Sequence, residues 1–323
     1  MAMPRVLVTR RWPEDVERVL AARFDTTLNE NDRPLTEAEF VSVMKGYDAV
    51  LPTVSDRLPS GLFDQPGLRT KVLGNFGVGF NHIDVAAAKS AGIVVTNTPG
   101  VLTDCTADLA LTLMLMAARR AGEGERQLRS GEWKGWCPTH MLGSQLSGKV
   151  LGIIGMGRIG KATARRAHFG FGMKIVFFNR SDVDDDETRA MKAQQMKSID
   201  KVMAASDFVS LHCPGGAGNR HLVDARRLAL MKPGAYVINT ARGDVVDTPA
   251  LVEALTSRSI AGAGLDVYEG EPAIPAGLAD IENVVLLPHL GSATSETRTA
   301  MGMKVVENIT AFFDGLDPPD RIA

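Results

Sequence analysis

Residues 150–167 read VLGIIGMGRIGKATARRA, and this stretch decides the fold. An apolar run leads into a glycine-rich turn carrying Gly155, Gly157 and Gly160, and a helical pattern follows. A dinucleotide pyrophosphate needs that order. The apolar run reads as a buried strand. Gly155 permits the tight turn out of it, Gly157 lets backbone approach phosphate, and Gly160 lets the helix lie close on the sheet. The helix start adds unpaired N–H groups and the positive end of its dipole. Glycines also cluster in ordinary turns, but a strand before and a helix after make the nucleotide reading the stronger one.

The next strand, KIVFFNRSD (174–182), bears on which dinucleotide binds. An acidic residue about 20 positions past the turn would accept the ribose 2′-hydroxyl of NAD. Here Asn179, Arg180 and Ser181 stand at that point. Asparagine removes the charge that repels a 2′-phosphate, arginine offers a planar cationic fork, and serine adds a hydroxyl. The triplet favours NADP (NADPH), with NAD as the alternative. Against it stand an Arg180 that merely points into water and the acidic neighbours Asp182, Asp184, Asp185 and Asp186.

About 150 residues precede the glycine turn, so a separate domain comes first. RVLVT (5–9), DAVLP (48–52), KVLGNF (71–76) and GIVVTN (92–97) read as strands. Residues 13–24, with Pro13 at the start, and 83–92 read as helices, and Thr36 and Glu39 have capping-box spacing before another. After Thr98-Pro99-Gly100 a long helix runs from about Thr103 to Arg120. Further strands lie at 207–214, 235–243, 262–267 and 283–289. Met301, Val305, Ile309 and Phe312 recur at helical spacing, and this last helix is expected to pack on the first domain. The expected fold is α/β: two doubly wound parallel-sheet domains, a Rossmann-type coenzyme domain (101–291) inserted in a smaller flavodoxin-like substrate domain (1–100 plus 292–323). Two crossovers predict a hinge and a cleft.

Bulk properties fit an enzyme free of nucleic acid and membrane. The 323 residues hold 36 basic and 38 acidic side chains, with no basic stripe or charged tail. The three cysteines (Cys105, Cys137, Cys213) are scattered, and the N-terminus shows no signal-peptide pattern, so a cytoplasmic setting is expected. No metal is expected, because His82, His140, His168, His212 and His221 show no ligand spacing.

Ligands of open α/β sheets bind at strand ends, and three ends carry chemistry. Arg242 follows AYVINTA, Glu271 lies just past GAGLDV, and His289 closes NVVLLP. Each alone has a bland reading as a loop anchor or solvated side chain. Complementary groups at three ends are harder to dismiss.

Five blocks in order, NFGVGFNHID (75–84), GIIGMGRIG (152–160), INTARGDVVD (238–247), AGAGLDVYEGEP (261–272) and PHLGSAT (288–294), span the chain. It resembles the D-isomer-specific 2-hydroxyacid dehydrogenase family, and within it the glyoxylate/hydroxypyruvate reductases. The resemblance implies reduction of small 2-keto acids to glycolate- or D-glycerate-type 2-hydroxy acids, and homodimers formed through the coenzyme domain. It implies that His289 is the acid/base, Glu271 its partner, and Arg242 the grip on the keto acid. The substrate site it implies comprises Leu51, Val78, Gly79, Arg242, His289 and Ser292, with backbone N–H groups near Val78 and Gly79 as a second carboxylate clamp. The cofactor site it implies comprises Thr106, the turn residues Gly155, Met156, Gly157, Arg158, Ile159 and Gly160, Asn179 to Ser181, Cys213, Pro214, Thr240, Ala241 and Asp266. Asp266 resembles the residue that holds the nicotinamide carboxamide, with a strand-end turn role as the alternative.

One region departs from the family. Some glyoxylate reductases place a tryptophan from the segment matching 131–145 over the partner's pocket. Here Trp133 and Trp136 come slightly early, and His140 aligns instead. Leu51, Pro52 and Thr53 are candidates for the opposite pocket wall. Alternatives are a 2-ketogluconate-type sugar-acid reductase, an NAD-preferring dehydrogenase of the family, and a non-catalytic dinucleotide-sensing binder. Formate dehydrogenases carry glutamine where Glu271 stands, and phosphoglycerate dehydrogenases often carry a C-terminal extension.

Overall fold

The apolar runs of the first domain form short strands with both faces covered, as parallel sheets require. In the computed structural model, which describes residues 3–323, these are β1 (Arg5–Val8), β3 (Ala49–Leu51), β4 (Val72–Gly74) and β5 (Val94–Thr96), and a further strand, β2 (Asp25–Leu28), joins them. Between them lie α1 (Glu14–Arg23), α2 (Glu37–Gly46), α3 (Ser60–Phe63) and α4 (Val85–Ser90). All pairings are parallel and the order is β2-β1-β3-β4-β5, the doubly wound flavodoxin-like order. α2 starts on the capping box that the spacing predicts: Thr36 Oγ1 accepts the Glu39 N–H and Glu39 reaches back to the Thr36 N–H. β2 is absent from the sequence reading. Its DTTL is an edge strand with partly exposed side chains and no apolar run to mark it.

The second unit, Thr103–Ser292, opens with α5 (Thr103–Ala118) and α6 (Ala121–Arg129). Then come β6 (Val150–Ile154), α7 (Arg158–Phe171), β7 (Lys174–Phe178), α8 (Asp186–Ala190), β8 (Gln194–Gln195), α9 (Ile199–Ala205) and β9 (Phe208–Leu211). It closes with α10 (Ala225–Leu228), β10 (Tyr236–Asn239), α11 (Thr248–Thr256), β11 (Gly262–Leu265) and β12 (Val284–Leu286). The parallel order β12-β11-β10-β9-β6-β7-β8 reverses direction between β6 and β9, the switch point of a Rossmann-type sheet. α5 packs on α7, β10 and β11, burying Ala110, Leu113 and Met114, with Leu151, Ile153 and Phe177 in the same core. α6, by contrast, buries no side chain.

The last helix, α12 (Ser295–Phe313), returns to the first unit, which comprises residues 3–102 and 293–323. It buries Met301, Val305 and Ile309. Its approach is close: a Cβ on Gly302 would lie 2.7 Å from Val16, and one on Gly74 would lie 2.6 Å from Val305. The fold is thus two parallel-sheet α/β domains.

Candidate active site

The C-terminal ends of β6, β7 and β9 to β12 lie side by side, because the strands run parallel in one register. Ile154 pairs with Phe178 and Leu211, Asn239 with Leu211 and Leu265, and Leu265 with Leu286. At about 4.8 Å per strand, residues far apart in sequence become neighbours along this edge.

The glycine turn sits at the switch point. Gly155 leaves β6 at φ 96°, and a Cβ there would lie 2.8 Å from the Cys213 nitrogen and the His212 carbonyl. A Cβ on Gly160 would lie 2.2 Å from the Gly155 oxygen. The protein's own packing demands both glycines. It does not demand Gly157, where a Cβ would meet nothing within 4 Å and the space is open. α7 starts with Gly157 as its N-cap, without a side-chain cap and without an acidic residue in its first turn. Its first N–H groups remain for an anion. Nearby in the register, at the end of β10, the buried Thr240 hydroxyl has no partner among the described residues. Such orphans are rare in folded proteins. The gap, the uncapped helix and the orphaned hydroxyl fit a dinucleotide.

Asn179 is an anchor in this edge. Its Oδ1 accepts the Met156 N–H (3.2 Å), and its Nδ2 donates to the Ser181 carbonyl and hydroxyl (3.1 and 3.0 Å). Gln195 braces the same loop, accepting from Val183 N–H (2.9 Å) and donating to the Ser181 carbonyl (3.1 Å). Arg180 is exposed and makes no ion pair among the described residues. Three of the four aspartates beyond it are ion-paired, and one arginine serves two of them. Asp184 and Asp186 bind Arg189 at 2.9 and 3.1 Å, and Lys161 pairs with Asp185, holding its carboxyl down at about 2.

At the end of β10, buried Asn239 shapes the turn that carries Arg242. Its Oδ1 accepts the Ala241 N–H (3.0 Å) and its Nδ2 donates to the Arg242 carbonyl (2.9 Å). Burial pushes the Arg242 pKa down, and the Glu271 and Asp244 carboxylates oppose it; a guanidinium stays charged throughout. Gly243 brings this turn onto the next loop, since a Cβ there would lie 1.9 Å from the Tyr268 carbonyl carbon.

Glu271 accepts the Tyr268 N–H with Oε1 (2.8 Å) and His289 Nδ1 with Oε2 (2.8 Å). Burial raises its pKa, but the hydrogen bond and charge of His289, with help from Tyr268 and Arg242, bring it below the ordinary 4.5. Glu271 is therefore a carboxylate. It fixes the His289 tautomer with a proton on Nδ1 and leaves Nε2 for a substrate. His289 has a left-handed backbone, φ 56°. Asp266 holds it there: its carbonyl accepts the His289 N–H (3.0 Å), and its carboxylate accepts the Leu290 and Gly291 N–H groups (2.6 and 2.8 Å). Thr106 Oγ1 donates to the Gly291 carbonyl (2.9 Å) and the Tyr268 hydroxyl to the Leu287 carbonyl (2.8 Å). Burial and the Asp266 charge push the Tyr268 phenol up to about 12, so it stays a donor.

In the first unit, the Gly77-Val78-Gly79 loop follows β4. Buried Asn75 donates to the Gly77 and Gly79 carbonyls (3.0 Å each), and Asn97 donates to the Val78 carbonyl (2.9 Å). His82 Nε2 lies 3.0 Å from Asn75 Oδ1.

Residues 111–291 match the model of the D-isomer specific 2-hydroxyacid dehydrogenase, NAD binding domain. A glyoxylate reductase of Thermococcus litoralis is 42% identical over 323 residues, covering 99% of this chain and 96% of that protein. The chain belongs to the D-isomer specific 2-hydroxyacid dehydrogenase family. Solved structures similar to this dehydrogenase include an NADPH-dependent glyoxylate/hydroxypyruvate reductase of Sinorhizobium meliloti in complex with NADP and malonate. That chain has TM-score 0.88 and 35% identity, with 100% of this chain and 97% of that one covered. A glyoxylate reductase of Paecilomyes thermophila has TM-score 0.88 and 32% identity, covering 100% and 99%. The protein is an NAD(P)-dependent oxidoreductase of this family.

Within this dehydrogenase the strand-end residues gather as neighbours, and two of the expected contacts need correction. Leu51 is fully buried in the core of its own unit, with its Cδ2 against Gly74, so its side chain cannot line a pocket wall. The Met156 side chain is likewise in the core of its unit, and its N–H is taken by Asn179. Thr106 and Asp266 act on the His289 loop as well as standing where a cofactor contact is expected. Arg158, Ile159, Cys213, Pro214, Ala241 and Ser292 lie exposed or half-buried. Burial raises the Cys213 thiol to about 11, so it is no reactive thiolate. Sequence reasoning missed Asn239 and Tyr268. Asn239 leaves a trace, a polar side chain inside the otherwise apolar AYVIN strand. Among the described residues no group of three His, Cys, Asp or Glu side chains could hold a metal, and no helix is long and apolar enough to cross a membrane.

Proposed function

We propose that the protein is an NADPH-preferring reductase of glyoxylate, hydroxypyruvate and related small 2-keto acids, with His289 as proton donor. The observation that carries this reading is the 2.8 Å pair between His289 Nδ1 and a Glu271 held as a carboxylate, one loop from Arg242. When bound, the reduced nicotinamide supplies the hydride. Everything else falls to the chain. His289 donates the Nε2 proton to the keto oxygen, and Glu271 stabilises the imidazolium before transfer. Arg242 binds the carboxylate and polarises the ketone through its planar fork. The Val78 and Gly79 N–H groups hold the carboxylate as well, and Ser292 lies next to the His289 loop. Reduction gives glycolate or a D-glycerate-type 2-hydroxy acid.

The NADPH preference is supported by Arg180, which makes no ion pair among the described residues, by the pairing of Asp184, Asp185 and Asp186 with other cations, and by the NADP carried by the Sinorhizobium meliloti reductase. The turn from Gly155 to Gly160 holds the pyrophosphate, Arg180 and Ser181 the 2′-phosphate, and Cys213, Pro214, Thr240 and Ala241 line the cofactor edge with Thr106 and Asp266. The substrate domain is 1–100 with 292–323, and the coenzyme domain 101–291. Homodimerisation through the coenzyme domain is supported by Trp133 and Trp136, which are 50% and 82% exposed beside a helix that buries nothing. A cytoplasmic site agrees with three free thiols. The test is oxidation of NADPH and of NADH with glyoxylate, hydroxypyruvate, pyruvate and 2-ketogluconate as acceptors. Fast NADPH consumption with the first two is expected. Preference for NADH would discard the cofactor reading, and preference for 2-ketogluconate would discard the substrate reading.

A further inference from the structure

Every carbonyl of the Gly77–Gly79 loop is claimed. Gly77 O accepts the Thr98 N–H (3.1 Å) and Asn75 Nδ2 (3.0 Å), Val78 O accepts Asn97 Nδ2 (2.9 Å), and Gly79 O accepts Asn75 Nδ2 (3.0 Å). Neither the Val78 nor the Gly79 N–H has a partner among the described residues, although both residues are half-buried. The asymmetry has a simple cause. In a planar trans peptide the carbonyl of one residue and the N–H of the next point in opposite directions. Fixing the Gly77 and Val78 carbonyls from one side therefore aims the Val78 and Gly79 N–H groups to the other.

We propose that Asn75 and Asn97 are positioning residues that lock these two peptide planes and so preorganise the backbone donors for the substrate carboxylate. The inference rests on the 2-keto acid reading above. His82 stands behind Asn75: its Nε2–H on Oδ1 sets the amide so that Nδ2 faces the loop. The residue type follows from the task. Only a donor can hold a carbonyl, and a neutral amide does so without placing negative charge beside an anion. Donors fixed before binding cost no reorganisation when the ligand arrives.

The test compares glyoxylate with its neutral methyl ester, in the presence of NADPH, for the unaltered enzyme, Asn97→Ala and Asn75→Asp. Asn97 is half-buried and its backbone N–H is held separately by the Asp320 carbonyl (3.2 Å), so its truncation leaves the chain anchored. Asn75→Asp keeps the shape and removes the donor; Asn97→Ala carries the test if that variant does not fold. The unaltered enzyme should prefer the acid. Each variant should raise KM for glyoxylate about tenfold, the scale of one net hydrogen bond. Turnover of the ester and affinity for NADPH should stay unchanged. If the variants keep the full preference for the acid, the positioning role is overturned while the clamp stands. An equal loss on acid and ester, or a loss of NADPH affinity, also overturns it. An unaltered enzyme that does not distinguish acid from ester contradicts the carboxylate-clamp reading itself.

Discussion

The loop that carries His289 and the loop that carries Val78 and Gly79 are built with opposite polarity. In the first, the Asp266 carboxylate accepts the N–H groups of Leu290 and Gly291. The backbone donors are thereby consumed, and the chemistry is left to a side chain, His289, whose partner is another carboxylate. In the second, the Asn75 and Asn97 amides hold the carbonyls and the backbone donors remain. The difference follows from what each loop is proposed to handle. A proton donor needs an imidazole oriented and charge-stabilised by carboxylates, which would repel a substrate anion. An anion clamp needs donors and no negative charge. On the proposed roles, carboxylates brace the acid and amides brace the clamp.

Substitutions break this division in order of size. Replacing His289 by Ala removes the only proton donor assigned to the keto oxygen. Glyoxylate turnover should fall by about 10² to 10⁴, while NADPH titration gives the unaltered affinity. Turnover within a few-fold of normal would end its role. Arg242→Lys keeps the charge and loses the fork, and kcat/KM for glyoxylate should fall by about 10²; normal kinetics would remove the side-chain half of the carboxylate grip. Arg180→Ala should raise KM for NADPH by about tenfold or more and leave NADH unaffected, and an equal effect on both would detach this arginine from the 2′-phosphate. The smallest effect is on stability. Glu271 titrates below its ordinary 4.5, so its pair with His289 contributes fully above that pH and is lost as pH falls through the depressed value. The melting-temperature gap between the unaltered protein and Glu271→Gln should therefore close in acid, as pH falls through that depressed value. A gap that opened as pH fell would contradict the pairing.

How much of this was legible depends on the kind of signal. Strands such as VLGII and the glycine turn declare themselves by composition and order, and the Thr36–Glu39 box by local spacing. The ends of β10 to β12 declare themselves by placing Arg242, Glu271 and His289 after apolar runs. The bracing residues do not. Thr106 holds Gly291 across 185 positions, and Asn75 works on carbonyls two and four residues on without any repeating pattern. Leu51 is expected at the substrate from the resemblance and its place at a strand end, and neither shows that its three-residue strand is buried on both faces. Asn179 stands where the sequence puts it, yet its hydrogen bonds serve the loop that carries Arg180.

The most direct measurement is the initial rate of glyoxylate reduction by the unaltered protein with NADPH and with NADH at equal concentration. The expected result is rapid turnover with NADPH and a kcat/KM at least about tenfold above that with NADH. Tight NADPH binding without turnover of glyoxylate would contradict the proposed reaction at its centre.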